Sequence, residues 1–505
     1  MKRNTELRSV SGVLLILLLG KFLSLAANQA YLSYFGADNE HLNIFSWALQ
    51  VPGYLLQSVG TALVSVVIPV YAALRANGNP GEAARFSSNL LGAGALLAAL
   101  ICALGLVLSF FLPGLTEFSD KSYAALCLRL AMPAVLCYGL TYIMQGLLQS
   151  HGRYAAAAAV NLPGGLLILA YLALFAGRFG VTGLLVTVLI GLAVQIVMLW
   201  LPARRAGISC RLRLDLHDGA IRTAGRRSLP VLLGAFAYQL DLFFCHTLMS
   251  RVSPASLSLY LFMQTILTGL VAVLTSAVNS VAYPQLAALA AQGETGAFRT
   301  ALREKLELLF FLFVPLTAAL AVLGKPALRL LSLYGKMTET DLQTEYVFLL
   351  SGGACLVFFG WKELADRALF ALQTTKTSAQ ANFLILLLNV PLVLLLTPVL
   401  GSAAIPLSWA LAIIAASFFL LLALRKRLGR FGGLTGALFK TLLAAAAMCA
   451  ASFGVLRLLS DRLPDTVAGR LLTVGLPALA GLGVYLGAAF ALRTPALMRL
   501  RKEKT

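Results

Sequence analysis

Apolar runs of helical length recur from one end of the chain to the other, separated by short polar or basic segments. A bilayer core needs about 20 apolar residues per helical crossing. On that measure the pattern predicts about fourteen spans, at 9–34, 43–74, 87–112, 122–149, 155–176, 181–203, 228–250, 256–288, 304–323, 345–372, 379–399, 402–424, 435–459 and 468–492. The first run is too long for a secretory signal core and has no clear small-residue cleavage site, so it counts as a span.

Composition agrees. Of 505 residues, 59% are hydrophobic and 12% charged, where soluble domains carry roughly a quarter charged. The formal charge of +20 invites a nucleic-acid reading, but its placement opposes one. One alternating set of inter-span segments holds 27 of the 40 Lys and Arg residues, the other set holds 9, and Lys21, Arg129, Lys362 and Arg367 fall within spans. This is the positive-inside pattern, with an even number of spans and both termini cytoplasmic. The basic charge therefore orients the protein and meets anionic lipid heads; no nucleic-acid partner is expected.

Seven cysteines are scattered, mostly within spans and without a CxxC pair, and read as small apolar fillers. The four histidines are isolated, and no HExxH, Cys/His cluster or dinucleotide fingerprint occurs. No metal or cofactor is implied.

The chain also repeats itself. ALVSVVIPVYAALRAN at 62–77 matches AVNSVAYPQLAALAAQ at 277–292, aligning Pro69 with Pro284 at an offset of 215. LLQSHGRYAAAAAVN at 147–161 lines up with ALQTTKTSAQANFLI at 371–385 at an offset of 224. Two homologous halves of six spans follow, 1–225 and 226–430, with a two-span addition at 431–505. Six spans is an even number, so the repeats run parallel, and transporters built this way place their substrate site in a central cavity between the halves. The basic segment at 204–227 then connects the halves, lying on the inner leaflet.

With the halves defined, further pieces fall into order. These are FGA at 35–37, Pro52 and Pro69 in the second span, LRLAMP at 128–133, YQLD at 238–241 and YP at 283–284. LYGKMT at 333–338, ALQTTKTS at 371–378 and LLNVPLVLLLTPVLGSAAIPLS at 387–408 follow. In order and spacing over residues 10–430, the sequence resembles the MurJ/MviN-type lipid II flippases of the multidrug/oligosaccharidyl-lipid/polysaccharide exporter superfamily. The resemblance implies an all-α polytopic inner-membrane transporter, without enzymatic activity, that moves a polyprenyl-diphosphate-linked cell-wall precursor outward by alternating access. It further implies a cationic central cavity, a groove beside spans 13 and 14 for the lipid tail, and contact with membrane lipids and cell-wall synthesis proteins.

Lys21, near the middle of the first span, is a cation where lipid cannot solvate one. Such residues usually face a polar interior, and a diphosphate would meet it through charge-assisted hydrogen bonds. The matching family position is a cavity arginine; lysine keeps the charge and loses the fork. Its competing reading is a structural pair with Asp241. The family's other cavity charges fall on Ala27 and Asn28, near Leu56 and Gln57, and near Thr265 and Thr268. The substrate-binding set expected from the resemblance is thus Lys21, Gln57, Thr265 and Thr268, and the missing arginines leave the transported lipid open.

Asp241 is a second costly intramembrane charge. The resemblance matches Asp241 and Asn389 to a sodium site of some family members, while Val393 and Trp409 replace its other side chains. Coupling to sodium or to a proton remains open, as does a purely structural carboxylate. WKELADRALF at 361–370 carries Lys362, Glu363, Asp366 and Arg367, spaced so that Lys362–Asp366 and Glu363–Arg367 can each pair at i,i+4; these read as structural or gating ion pairs. Arg129 reads as structural.

Two rivals stand beside the flippase. A drug:cation exporter of the same superfamily would need a carboxylate-lined aromatic cavity. A membrane glycosyltransferase would need catalytic acids or bases in a large external loop, and the longest, at 324–344, offers only Glu339, Asp341 and the adjoining Glu345.

Overall fold

A computed structural model describes the backbone of residues 2–76, 80–215, 219–331, 336–460, 462–464 and 466–502. Within these, side chains are described except at 2–15, 17–18, 57–70, 72–73, 75–76, 80, 161, 219–231, 280, 331, 460 and 500–502. The described residues form eighteen α-helices joined by short turns. Ten stretches among them are long and apolar enough to cross a membrane, eleven when one bent helix pair counts as a span. One such stretch, Thr375–Leu428, contains two successive helices. The protein is an all-α, multi-pass membrane protein.

Contacts divide the chain into two compact units, Met1–Ser258 and Leu259–Thr505. The first begins with α1 (Lys2–Phe35), α2 (Glu40–Ala76) and α3 (Pro80–Leu108). It continues through α4 (Lys121–Ala131), α5 (Ala134–Ser150), α6 (Tyr154–Ala158), α7 (Leu162–Leu174), α8 (Ala176–Arg205) and α9 (Gly219–Val252). Helix α2 is its axis, packing on α3, α4, α5, α8 and α9, while α1 packs on α6 and α7. The stretch predicted as one span at 122–149 is two helices, because Pro133 has no N–H to continue the ladder of α4 and instead caps α5.

The connection after α8 is held rather than loose. From Gly207 to Asp215 it has no regular structure and runs along α3. Ser88 Oγ and Ser209 Oγ are 2.7 Å apart, Arg213 N donates to Ser88 O at 3.2 Å, and Asn89 Nδ2 donates to Asp215 O at 2.8 Å. Gly92 permits this approach: a Cβ there would stand 1.9 Å from Arg213 O. Ile208 is buried in the cluster around Phe86, Leu90 and Leu147. The segment expected to lie on the leaflet is therefore pinned to the protein as far as Asp215; residues 216–218 and the side chains of 219–231 lie outside the described residues.

The second unit holds nearly all of α10 (Leu257–Ala291), then α11 (Thr295–Leu331), α12 (Glu339–Gly353), α13 (Leu356–Ala371), α14 (Thr375–Leu400) and α15 (Ala404–Leu428). It ends with α16 (Leu434–Ser460), α17 (Val467–Ala491) and α18 (Pro495–Lys502). Helix α11 packs on α12, α13, α16 and α17; α14 and α15 form a hairpin. The predicted span at 345–372 is a pair, α12 and α13, bent by 43°. A capping box between Thr338 and Asp341 starts α12. At the other edge, α18 is tied to α11 by Arg499 Nη1 on Glu307 Oε2 at 2.9 Å.

Helix ends recur at nearly constant separation. The residue after the cap of α5, Gly152, has φ +70°, and its counterpart after α13, Gln373, has φ +56°; they are 221 residues apart. Gly180 (φ 56°, ψ −147°) breaks the start of α8, and Gly401 (φ 57°, ψ −137°) ends α14, also 221 apart. Both sit in a region that only glycine enters readily. This spacing of 221 stands beside the offsets of 215 and 224 between the matching sequence segments.

Candidate functional site

Lys21 sits on α1 with its side chain exposed from the protein surface, beside exposed Leu19 and Phe22. Leu23 faces Gly165 of α7, and Lys21 lies about 200° around the helix from it, on the face turned away from that packing. No ion pair joins Lys21 to a carboxylate among the described residues. Asp241, on α9, is fully buried. The structural pair between them is absent among the described residues. The side chain of Gln57 lies outside the described residues.

Thr265 and Thr268 belong to α10. Thr265 Oγ1 donates to Leu261 O at 2.9 Å and Thr268 Oγ1 to Gln264 O at 2.6 Å. Each hydroxyl proton is thus spent on the threonine's own helix, leaving lone pairs to face outward. An anion needs donors, so neither threonine attracts a diphosphate in this arrangement.

On α13 the two potential ion pairs differ. Lys362 Nζ and Asp366 Oδ2 are 3.0 Å apart, and both side chains are buried. Ser378 of α14 donates to the other oxygen of Asp366. Glu363 and Arg367 instead line a cavity shared with α10. On α14, Asn389 is fully buried; one turn on, Val393 is buried too, as is Trp409 on α15. A sodium ion prefers several oxygen ligands, and the apolar bulk of Val393 and Trp409 offers none.

Other residues carry chemistry that sequence reasoning passed over. Tyr54 of α2 hydrogen-bonds His246 Nδ1 of α9, and Trp47 Nε1 donates to Thr247 Oγ1 at 3.5 Å. His246 reads as isolated along the chain; its partner lies 192 residues away. Glu345, expected at the edge of an external loop, is fully buried in α12, and neither carboxylate oxygen has a partner among the described residues. Its loop neighbours do structural work. Glu339 bridges Arg329 at 2.7 Å, and Asp341 completes the helix cap. Glu339 and Asp341 are thus both engaged, and Glu345 is buried away from the loop. Arg129 donates to Ser109 Oγ at 3.3 Å and lies 4.3 Å over the Phe110 ring, as a structural residue would.

Known proteins resolve what these side chains belong to. The profile of the family described as "Lipid II flippase MurJ" matches residues 32–472. The chain belongs to this family. A probable lipid II flippase MurJ of Rhizobium meliloti (strain 1021) is 26% identical over 461 residues, covering 88% of this chain and 85% of that protein. One from Rhizobium tropici is 25% identical over 368 residues, 70% and 68% of the two chains. Among solved structures, a lipid II flippase MurJ in an inward closed conformation superposes with a TM-score of 0.74 at 17% identity, over 96% of this chain and 98% of that one. An inward-facing multidrug resistance transporter of the MATE family gives 0.69 at 14% identity, over 81% and 94%. At such identities the structural likeness carries the fold, and the family match carries the relationship.

Proposed function

We propose that this MurJ-family chain is a flippase that moves a polyprenyl-diphosphate-linked, lipid II-like cell-wall precursor across the cytoplasmic membrane by alternating access. The observation that carries the reading is the family match over residues 32–472. The drug-exporter alternative loses ground because the one deeply buried acid of α9, Asp241, has no carboxylate companion on that helix. The glycosyltransferase loses its loop acids to a salt bridge and a cap.

The finer architecture follows from the same helices. Eleven spans among the described residues become twelve when α14 and α15 each cross, and fourteen with α1 and α2, which are 34 and 37 residues long. Both termini then lie on the cytoplasmic, basic side. Matching positive-φ residues 221 apart support two parallel six-helix repeats, 1–225 and 226–430, with a two-helix addition at 431–505.

In this reading Lys21 is the principal attraction for the diphosphate, and Gln57 is a further candidate contact. Thr265 and Thr268 contribute as acceptors for sugar hydroxyls. Asp241, with Asn389, serves ion coupling, and the apolar Val393 and Trp409 favour a proton over sodium.

The test is stabilisation and binding of undecaprenyl-diphosphate-linked sugar by the purified protein. Lys21→Ala should abolish both; Lys21→Arg should retain or improve them, since arginine grips a diphosphate bidentately. Undiminished binding by a folded Lys21→Ala protein would overturn the assignment.

A further inference from the structure

The cavity between α10 and α13 has a volume of about 370 Å3 and is lined by Thr275, Ser276, Asn279, Tyr283, Glu363 and Arg367. All six belong to the second unit. Glu363 and Arg367 stand one helical turn apart, yet they form no ion pair, whereas the preceding residues Lys362 and Asp366 do. A carboxylate and a guanidinium therefore line the same space with bonding capacity unspent.

The wall from α10 is rich in acceptors. Thr275 Oγ1 donates to Val271 O at 2.7 Å and Ser276 Oγ to Val273 O at 2.9 Å, so both hydroxyls turn lone pairs outward. Beside the Glu363 carboxylate, these acceptors match a group with several donors and no acceptor. An ammonium is such a group. Arg367 asks for the opposite, an oxyanion that takes its planar fork. A bare cation would be repelled by Arg367 and a bare anion by Glu363; only a ligand bearing both signs meets both.

We propose that this cavity binds a zwitterionic amino-carboxylate, its ammonium held by Glu363 and its carboxylate by Arg367. The volume lies at the small end of ligand sites, which run from about 300 to 1,000 Å3, and suits an amino acid or a dipeptide. Two sources carry that chemistry: a free peptide, and a peptide borne on the lipid-linked precursor that keeps a free amine beside its carboxylate. The second rests on the flippase reading; the first does not.

Calorimetric titration of the purified full-length protein in micelles tests the proposal, with dialanine as probe and methylammonium chloride and sodium acetate as half-ligands. Undecaprenyl-diphosphate-linked sugar, with and without an attached peptide, supplies the lipid arms. Dialanine should bind more tightly than either half-ligand. Glu363→Gln and Arg367→Gln should each weaken it by about tenfold or more, as expected for loss of a charge-assisted contact, while Arg367→Gln binds methylammonium at least as tightly as the parent, a repelling charge having been removed. If the site reads the lipid-borne peptide, both variants weaken the peptide-bearing lipid and spare the peptide-free one. Melting profiles like the parent's establish that the variants fold, and Glu363→Asp, which keeps the charge, should bind better than Glu363→Gln. Dialanine and peptide-bearing lipid that bind the parent and both variants equally, or neither of which binds the parent, would overturn the proposal. Dialanine binding by a protein that ignores both lipids would leave this site standing and remove the flippase reading.

Discussion

Removing the ammonium of Lys362 tests how α13 and α14 are joined. Lys362 is 5% exposed and Asp366 8%, their charged atoms 3.0 Å apart, and the second oxygen of Asp366 accepts from Ser378. Lys362→Met preserves the stem and strands the carboxylate with one hydroxyl for company. Breaking a buried pair from one side costs about 3–5 kcal/mol, and the bond from Ser378 places this case near 3. Adding Asp366→Leu removes the stranded charge, so the double variant should return to within about 1 kcal/mol of the parent. Unfolding in mixed micelles of rising denaturing-detergent fraction would measure this. Trp361 reports from the next residue, its indole N–H bound to Leu306 O at 3.0 Å. A single change costing less than about 1 kcal/mol, or a double as unstable as the single, would refute the reasoning that desolvation dominates here. Lipid transport by the stable double variant then separates roles: retained, the pair is structural; lost, it takes part in gating.

Gly92→Val should drive the 207–215 segment off α3, since the added Cβ would meet Arg213 O; about 1–3 kcal/mol of strain is expected. Burial holds the Cys210 thiol above its ordinary range, against a smaller opposing pull from Arg204. Release lowers it, so maleimide labelling of Cys210 near neutral pH should accelerate, and unchanged labelling would mean the segment stays docked. Glu345→Gln replaces a buried carboxyl group with no hydrogen-bond partner among the described residues, so the melting temperature should hold or rise; a fall would reveal a partner that needs the acid.

What the sequence made legible was what periodicity and charge encode. Apolar runs located the ten membrane-length helical stretches seen among the described residues. Breaks inside spans were harder: Pro133 advertises the one between α4 and α5, but Ala354 and Cys355, between α12 and α13, carry no such signal. Site chemistry was legible only as residue type. Thr265 and Thr268 are polar in either reading, and only the rotamers reveal that their protons return to Leu261 and Gln264. The i,i+4 spacing equally fits Lys362–Asp366, which pairs, and Glu363–Arg367, which does not, because pairing depends on what α10 and α14 present opposite each one. Tertiary partners such as Tyr54 for His246 lie too far along the chain for any local pattern.

The same chemistry bears on how an anionic lipid could be held and still let go. Two unit charges 4 Å apart attract by about 4 kcal/mol at the effective dielectric of a protein surface. Several arginines around a diphosphate multiply that attraction, and alternating access must undo it on every cycle. On the proposed reading the first unit offers Lys21 alone, Ala27 and Leu56 being apolar and buried. In the second unit, the charges lining the α10–α13 cavity are of opposite sign, and a zwitterion bound there brings little net charge. Recognition of that kind depends on donor and acceptor geometry, so it falls off steeply as the groups separate and is little affected by salt. A flippase built on one lysine and a zwitterion site would choose its cargo by the shape of its polar part more than by its charge, and would release it without breaking a cluster of strong ion pairs.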